Sequence, residues 1–196
     1  MAKRGTSSKQ LRPSWSWQLK IELLDVTPTV WRRLVVASTI KLPKLHQVFQ
    51  TVLGWTNSHL HEFVVAGVSY SEPDPYADDE FEHVDETDVL LDLALGMDAR
   101  AFDYVYDFGD GWHHVVIVES QHIEAKSSAS ISCIAGDNAC PPEDVGGPMR
   151  YAEFLAALGD PEHEEHESFR EWSGGRFDPK HVDISAINRA LSKIKP

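Results

Sequence analysis

Sulfur is scarce in this chain, and no long apolar run is present. Two cysteines in 196 residues, Cys133 and Cys140, cannot build a disulfide framework. No apolar stretch approaches the roughly 18 residues of a membrane span. The opening Met1-Ala2-Lys3-Arg4-Gly5-Thr6-Ser7-Ser8 lacks the apolar segment of a signal peptide. The cytoplasm is therefore the expected compartment. Basic charge is scarce too: 18 Lys and Arg stand against 31 Asp and Glu, for a net charge of −13. Nucleic-acid binding needs clustered cations. Those here gather only near the ends, at Lys3, Arg4, Lys9 and Arg12 and at Arg189, Lys193 and Lys195. Neither tight duplex binding nor a membrane partner is expected.

What the chain does have is core material, with 42% hydrophobic and 10% aromatic residues. A chain of this size buries enough surface to fold without a metal or a disulfide. Residues 1–14 are polar and aperiodic and read as a disordered arm, leaving residues 15–196 as one expected domain. Trp15, Trp17, Leu19, Ile21 and Leu23 alternate with polar residues, which predicts a half-buried strand. Thr27-Pro28-Thr29 breaks it, and residues 30–36 read as its hairpin partner. Leu42, Leu45, Val48, Phe49, Val52 and Leu53 then form one helical stripe, with Pro43 in the first turn and Gly54 as the stop. A strand over residues 60–66 follows. Strand, strand, helix, strand is the opening of a β-grasp (ubiquitin-like) arrangement within an α+β fold.

Residues 71–88 are acidic and Pro-containing and read as a long surface loop. The clearest element comes next: Phe102, Tyr104, Tyr106 and Phe108 alternate with Asp103, Val105 and Asp107, Gly109-Asp110-Gly111 makes a turn, and residues 112–118 return. That hairpin should form the centre of a mixed sheet. Residues 133–148, with Cys140-Pro141-Pro142 and Gly146-Gly147-Pro148, read as an ordered or gripping loop. The C-terminal third is expected to be helical, over residues 148–158, 161–172 and 184–194, the last capped by Asp183.

Three motifs in order resemble the plasmid pRiA4b ORF-3-like family. They are Trp55-x-x-Ser58-His59-Leu60-His61-x-Phe63, Tyr106-Asp107-Phe108-Gly109-Asp110-Gly111-Trp112-x-His114 and Cys140-Pro141-Pro142-Glu143-Asp144-Val145-Gly146-Gly147. Phe177-Asp178-Pro179 and Ile187-Asn188-x-x-Leu191 fit as well, so the likeness runs from about Trp17 to Leu191. The resemblance implies a poorly characterised, mobile-element-associated protein, some of whose kin carry a resolvase label. A serine resolvase needs a nucleophilic Ser among several Arg, and a basic DNA-reading helix. This chain has neither.

Three constellations could carry chemistry. On one strand His59 and His61 would share a face and could clasp one ion, zinc or another divalent metal. Cys133 and Cys140 could add thiolates, because sulfur with imidazole is the donor set zinc prefers. A four-donor site of His59, His61, Cys133 and Cys140 is the expectation that joins both pairs. Asp107 and Asp110 at the hairpin turn, with Glu143 and Asp144, form an acidic set that could hold an ion together with His113 or His114. His163-Glu164-Glu165-His166 departs from a metalloprotease spacing and reads as a solvated helix face.

The leading reading is a non-catalytic module that binds a protein or small ligand. Its expected surface comprises Trp55, His59, His61, Asp107, Asp110, Trp112, His114, Glu143 and Asp144. A metal-dependent hydrolase using the same region is the alternative, and a mobile-element DNA-associated protein the third.

Overall fold

The computed structural model describes residues 15–73, 83–96, 99–123 and 131–194. Strand β1 (Trp15–Leu23) pairs antiparallel with β2 (Trp31–Ala37), as the alternation predicts. The inward face of β1 is nevertheless not one unbroken alternation. A register shift between Gln18 and Leu19 buries Ser16, Leu19, Ile21 and Leu23 and leaves Trp17 only partly covered. A bulge of this kind flips the side chains on one side of it.

Helix α1 (Leu42–Leu53) has the expected bounds and stops at Gly54, whose φ of +87° suits a residue without a Cβ. Strands β3 (His61–Val65) and β4 (Val68–Ser71) form a second hairpin. A two-residue strand β5 (Val84–Asp85) and a short helix α2 (Leu91–Leu95) follow. Strand β5 corrects the expectation of an unbroken loop over residues 71–88, of which 74–82 lie outside the described residues. The central hairpin is β6 (Ala101–Tyr106) with β7 (Trp112–Ile123). Strand β8 (Ser132–Asp137), paired with β2, lies where a loop was expected, because Cys133 is its one buried residue and no side-chain alternation announces it. Helices α3 (Gly147–Gly159), α4 (His166–Trp172) and α5 (Ile184–Leu191) close the chain, with Asp183 accepting the Ala186 N–H at 2.8 Å.

The eight strands form one mixed sheet in the order β5-β4-β3-β6-β7-β1-β2-β8, antiparallel throughout except for β4 with β5. The fold is α+β and the central hairpin does sit mid-sheet. The order of the opening elements matches a β-grasp, but β7 and β6 separate β1 from β3, so the likeness stops at that order.

One face of the sheet is dry. Helix α1 lays Phe49 against Phe63 and Tyr104, at ring separations of 6.1 and 5.0 Å, and Tyr151 of α3 meets Trp112 edge-on at 6.5 Å. The opposite face carries pairs such as Arg33 with Glu119 and His113 with Asp103. This two-faced pattern is what an antiparallel sheet with helices on one side produces. Among the described residues no helix is long and apolar enough to cross a membrane.

Candidate functional site

The site is assembled where the turn after β6, the segment before β3 and the loop before α3 meet. Strand β3 begins at His61, so the two-residue periodicity does not reach back to His59. His61 falls in phase with Phe63 and Val65 and is buried, with Nε2 3.1 Å from both Glu86 oxygens. His59, two residues before the strand, meets Asp107 and Asp144 instead. Its Nε2 lies 3.0 Å from Asp144 Oδ1 and 3.6 Å from Asp107 Oδ2, yet makes no hydrogen bond to either.

Asp107 is only 7% exposed and has φ +56°, a left-handed conformation that Asp tolerates better than most residues. Its Oδ1 accepts from the backbone N–H groups of Gly109 and Asp110, at 3.0 and 3.3 Å. The turn therefore occupies one oxygen and leaves Oδ2 facing His59. Asp144 is also left-handed, at φ +60°, and its side chain is largely exposed. Among the described residues these are the three His, Cys, Asp or Glu side chains whose ligand atoms gather within 4.8 Å of one another.

Asp110 bonds across to the second loop, not within its own turn: Oδ2 accepts the Gly146 N–H at 3.0 Å. The two loops press together so closely that a Cβ on Gly147, at φ +78°, would lie 2.5 Å from the Asp110 carbonyl oxygen. Gly147→Ala should therefore destabilise the chain by at least about 2 kcal/mol in urea unfolding. Gly54→Ala gives the baseline, since Gly54 is equally left-handed but has nothing within 4 Å of its Cβ position. It should cost about 1 kcal/mol. Equal losses would show that the loop contact contributes nothing.

Glu143 anchors the same loop. Its Oε1 accepts from the Thr56 N–H at 2.9 Å and the Tyr106 hydroxyl at 2.7 Å, and its Oε2 from the Thr56 hydroxyl at 2.5 Å. Burial opposes its ionisation, but these donors prevail and hold it below the usual carboxylate range. Burial, and then the bond to Glu143, push the Tyr106 phenol up, so it remains a donor.

Several residues expected on a binding surface are core residues instead. Trp55, Trp112, His61 and His114 are buried: Trp55 stacks on Tyr106 at 4.8 Å and donates Nε1–H to the Pro141 carbonyl at 3.0 Å. They belong to the aromatic packing that the dry sheet face requires. Neither hairpin histidine joins the acidic set. His113 faces Asp103 on the far side of the sheet, and His114 is fully buried, donating Nδ1–H to the Tyr104 carbonyl at 3.0 Å. Only His59, Asp110, Glu143 and Asp144 of the expected set reach solvent, with Asp107 at their edge.

The four-donor sulfur and imidazole site does not form. Cys133 sits in β8, clasped by Asn188 of α5 through its N–H and C=O at 2.9 and 2.8 Å. Burial pushes the thiols of Cys133 and Cys140 up. Of the four, only His59 stands in the three-donor group. His163 and His166 have local roles: His163 Nδ1 accepts the Glu165 N–H at 3.1 Å, and His166 Nδ1 donates to the Ala157 carbonyl at 2.7 Å.

The chain is 41% identical over 179 residues to an uncharacterized protein, y4hQ, of Sinorhizobium fredii (strain NBRC 101917 / NGR234), covering 90% of this chain and 91% of that protein. It is also similar to the crystal structure of a protein of unknown function, MM3350, from Methanosarcina mazei Go1. That similarity has a TM-score of 0.78 and 32% identity and covers 89% of this chain and 98% of the other. The family model described as plasmid pRiA4b ORF-3-like protein matches residues 16–186, and the chain therefore belongs to the plasmid pRiA4b ORF-3-like family.

Proposed function

We propose that this protein is a divalent-metal-dependent binding module, with the ion held by His59, Asp107 and Asp144. The observation that carries the reading is the unbonded His59 Nε2, 3.0 and 3.6 Å from two carboxylate oxygens. Two ligands about 2.1 Å from an ion lie roughly 3.0 Å apart at a right angle and roughly 3.4 Å apart at the tetrahedral angle. The 3.0 Å spacing from His59 to Asp144 falls in that range, and the 3.6 Å spacing to Asp107 lies just outside it. One imidazole and two carboxylates suit manganese, magnesium or zinc, and three protein donors leave positions open for a ligand from solution or from a partner protein. Those open positions also favour the second reading, a hydrolase in which the bound ion supplies an activated water. We read residues 15–196 as one cytoplasmic domain, a placement that two free, buried cysteines suit.

Titration of the full chain with Mn²⁺, followed by electron paramagnetic resonance, tests the site. One saturable ion per chain is expected, and His59→Ala or Asp144→Asn should each weaken it by at least about tenfold. Asp144 is exposed and His59 partly so, and circular dichroism should report unchanged folding. An ordinary ion pair between His59 and Asp144 is the competing account. It would leave no saturable Mn²⁺ binding, or binding that neither variant alters.

A further inference from the structure

The 142–145 loop separates two hollows that meet at one side chain. On one side Pro142, Glu143, Trp172, Ser173, Arg176 and Phe177 line a cleft of about 430 Å³. On the other, a hollow of about 270 Å³ includes Asp144, Arg150 and, again, Trp172. Trp172 is held edge-on against Phe154 at 5.8 Å, yet half of it remains exposed.

The cations in the two hollows differ. Arg150 is committed, bonded to Glu153 at 2.7 Å and to Glu165 at 2.6 and 3.0 Å, with its guanidinium over Phe169. Arg176 is exposed and makes no ion pair or hydrogen bond among the described residues. Although the chain as a whole is acidic, at net charge −13, an uncommitted guanidinium lining a cleft is a local site for an anion. The nearby carboxylate of Glu143 already accepts three hydrogen bonds. It is a built wall of the cleft more than a competitor for Arg176.

We propose that this cleft binds a phosphate monoester carried on a flat ring, a nucleoside monophosphate in its simplest form. The ring lies on Trp172 and the phosphate reaches from Arg176 toward the ion of His59, Asp107 and Asp144. Guanidinium groups match phosphate oxygens in a two-pronged geometry. Carboxylate-held magnesium-like ions keep positions open and fill them with substrate phosphates. Indole faces stack planar bases with little regard to which base they meet. The choice of phosphate over other anions rests on the metal reading above, whereas the cleft and its cation do not depend on it.

Calorimetric titration of the full chain with AMP, adenosine and inorganic phosphate, each with Mn²⁺ and then with a chelator, tests the assignment. With Mn²⁺, AMP should bind at least about tenfold more tightly than adenosine or phosphate. Arg176→Ala and Trp172→Ala should each weaken AMP by a similar factor. Arg176→Ala should keep the parent's Mn²⁺ affinity, read separately by paramagnetic resonance. AMP binding that is undetectable with Mn²⁺ bound, or unchanged in both variants, overturns the proposal. AMP binding that needs Arg176 and Trp172 but persists on a chain that takes no Mn²⁺ would uphold the cleft and refute the metal reading instead.

Discussion

Arg32→Ala is expected to destabilise the protein by about 3–4 kcal/mol, one of the largest single-residue effects in the molecule. Arg32 is 3% exposed and has no carboxylate partner. Instead its guanidinium donates to four backbone carbonyls, Val52 at 3.0 Å, Trp31 at 2.8 Å, Asp137 at 2.9 Å and Asn138 at 2.9 Å. Val52 lies in the last turn of α1, where carbonyls have no partner within the helix and carry the negative end of its dipole. One side chain thus ties β2, the end of α1 and the end of β8 together. The fit is close enough that a Cβ on Gly136 would sit 2.6 Å from Arg32 Cδ. Truncation strands the four carbonyls and opens a hole that water only partly repairs. Arg32→Lys should recover part of the loss, because an ammonium has three donors but not the planar fork. Urea unfolding gives the measure, and a loss below about 1 kcal/mol for Arg32→Ala would show that the carbonyl set is hydrated at no cost.

Much of this fold was legible in the chain because its elements advertise one face. Helix α1 has an unbroken apolar stripe from Leu42 to Leu53 between a proline and a glycine, and its bounds follow directly. Strands β6 and β7 alternate in the same open way around Gly109-Asp110-Gly111. What stayed hidden are elements whose reason for existing lies elsewhere. Strand β8, with a glycine inside it, forms because β2 offers an edge and Arg32 needs the space above Gly136. His46 and Gln50 interrupt nothing in the helical pattern, yet both are buried, meeting the Tyr104 hydroxyl at 2.8 and 3.0 Å. Polar residues that satisfy one another in a core leave no periodic mark.

The candidate site was half legible for a related reason. Residue types marked the region, since His59, Asp107 and Asp144 all fall inside the three motifs. Partnership did not follow, because it depends on left-handed backbone at Asp107 and Asp144 and on a strand that begins at His61 instead of His59. Aromatic residues in the same motifs suggested a sticky surface and are packing instead. Trp172 and Arg176 lie outside the motifs, and only the fold places them beside the 142–145 loop.

Acidification should destabilise the protein from about pH 6.5 downward, starting before the surface carboxylates titrate. His46 and His114 are both buried, and burial is the main cause holding their pKa values at about 4 and about 3. His61, stacked on His46 at a ring separation of 3.5 Å, adds repulsion against a second charge, and Asn57 opposes it through a bond to Nε2. Tyr104 faces His46 through its hydroxyl and His114 through its carbonyl, so neither imidazole has a carboxylate of its own. Glu86 meets His61 instead. In the unfolded chain both histidines titrate near 6.5. The folded values are depressed, so the associated stability is fully present above about pH 6.5 and falls as pH drops toward the folded values. At pH 4.5 each histidine should have withdrawn about 2–3 kcal/mol, roughly 5 kcal/mol for the pair. That is a large fraction of the stability of a domain this size. Urea midpoints measured from pH 7.5 to 4.5 should track the loss, and His114→Gln, which cannot titrate, should flatten the curve by about half. A midpoint that holds constant over that range, or a slope that His114→Gln leaves unchanged, would mean that these two imidazoles reach water before they are protonated.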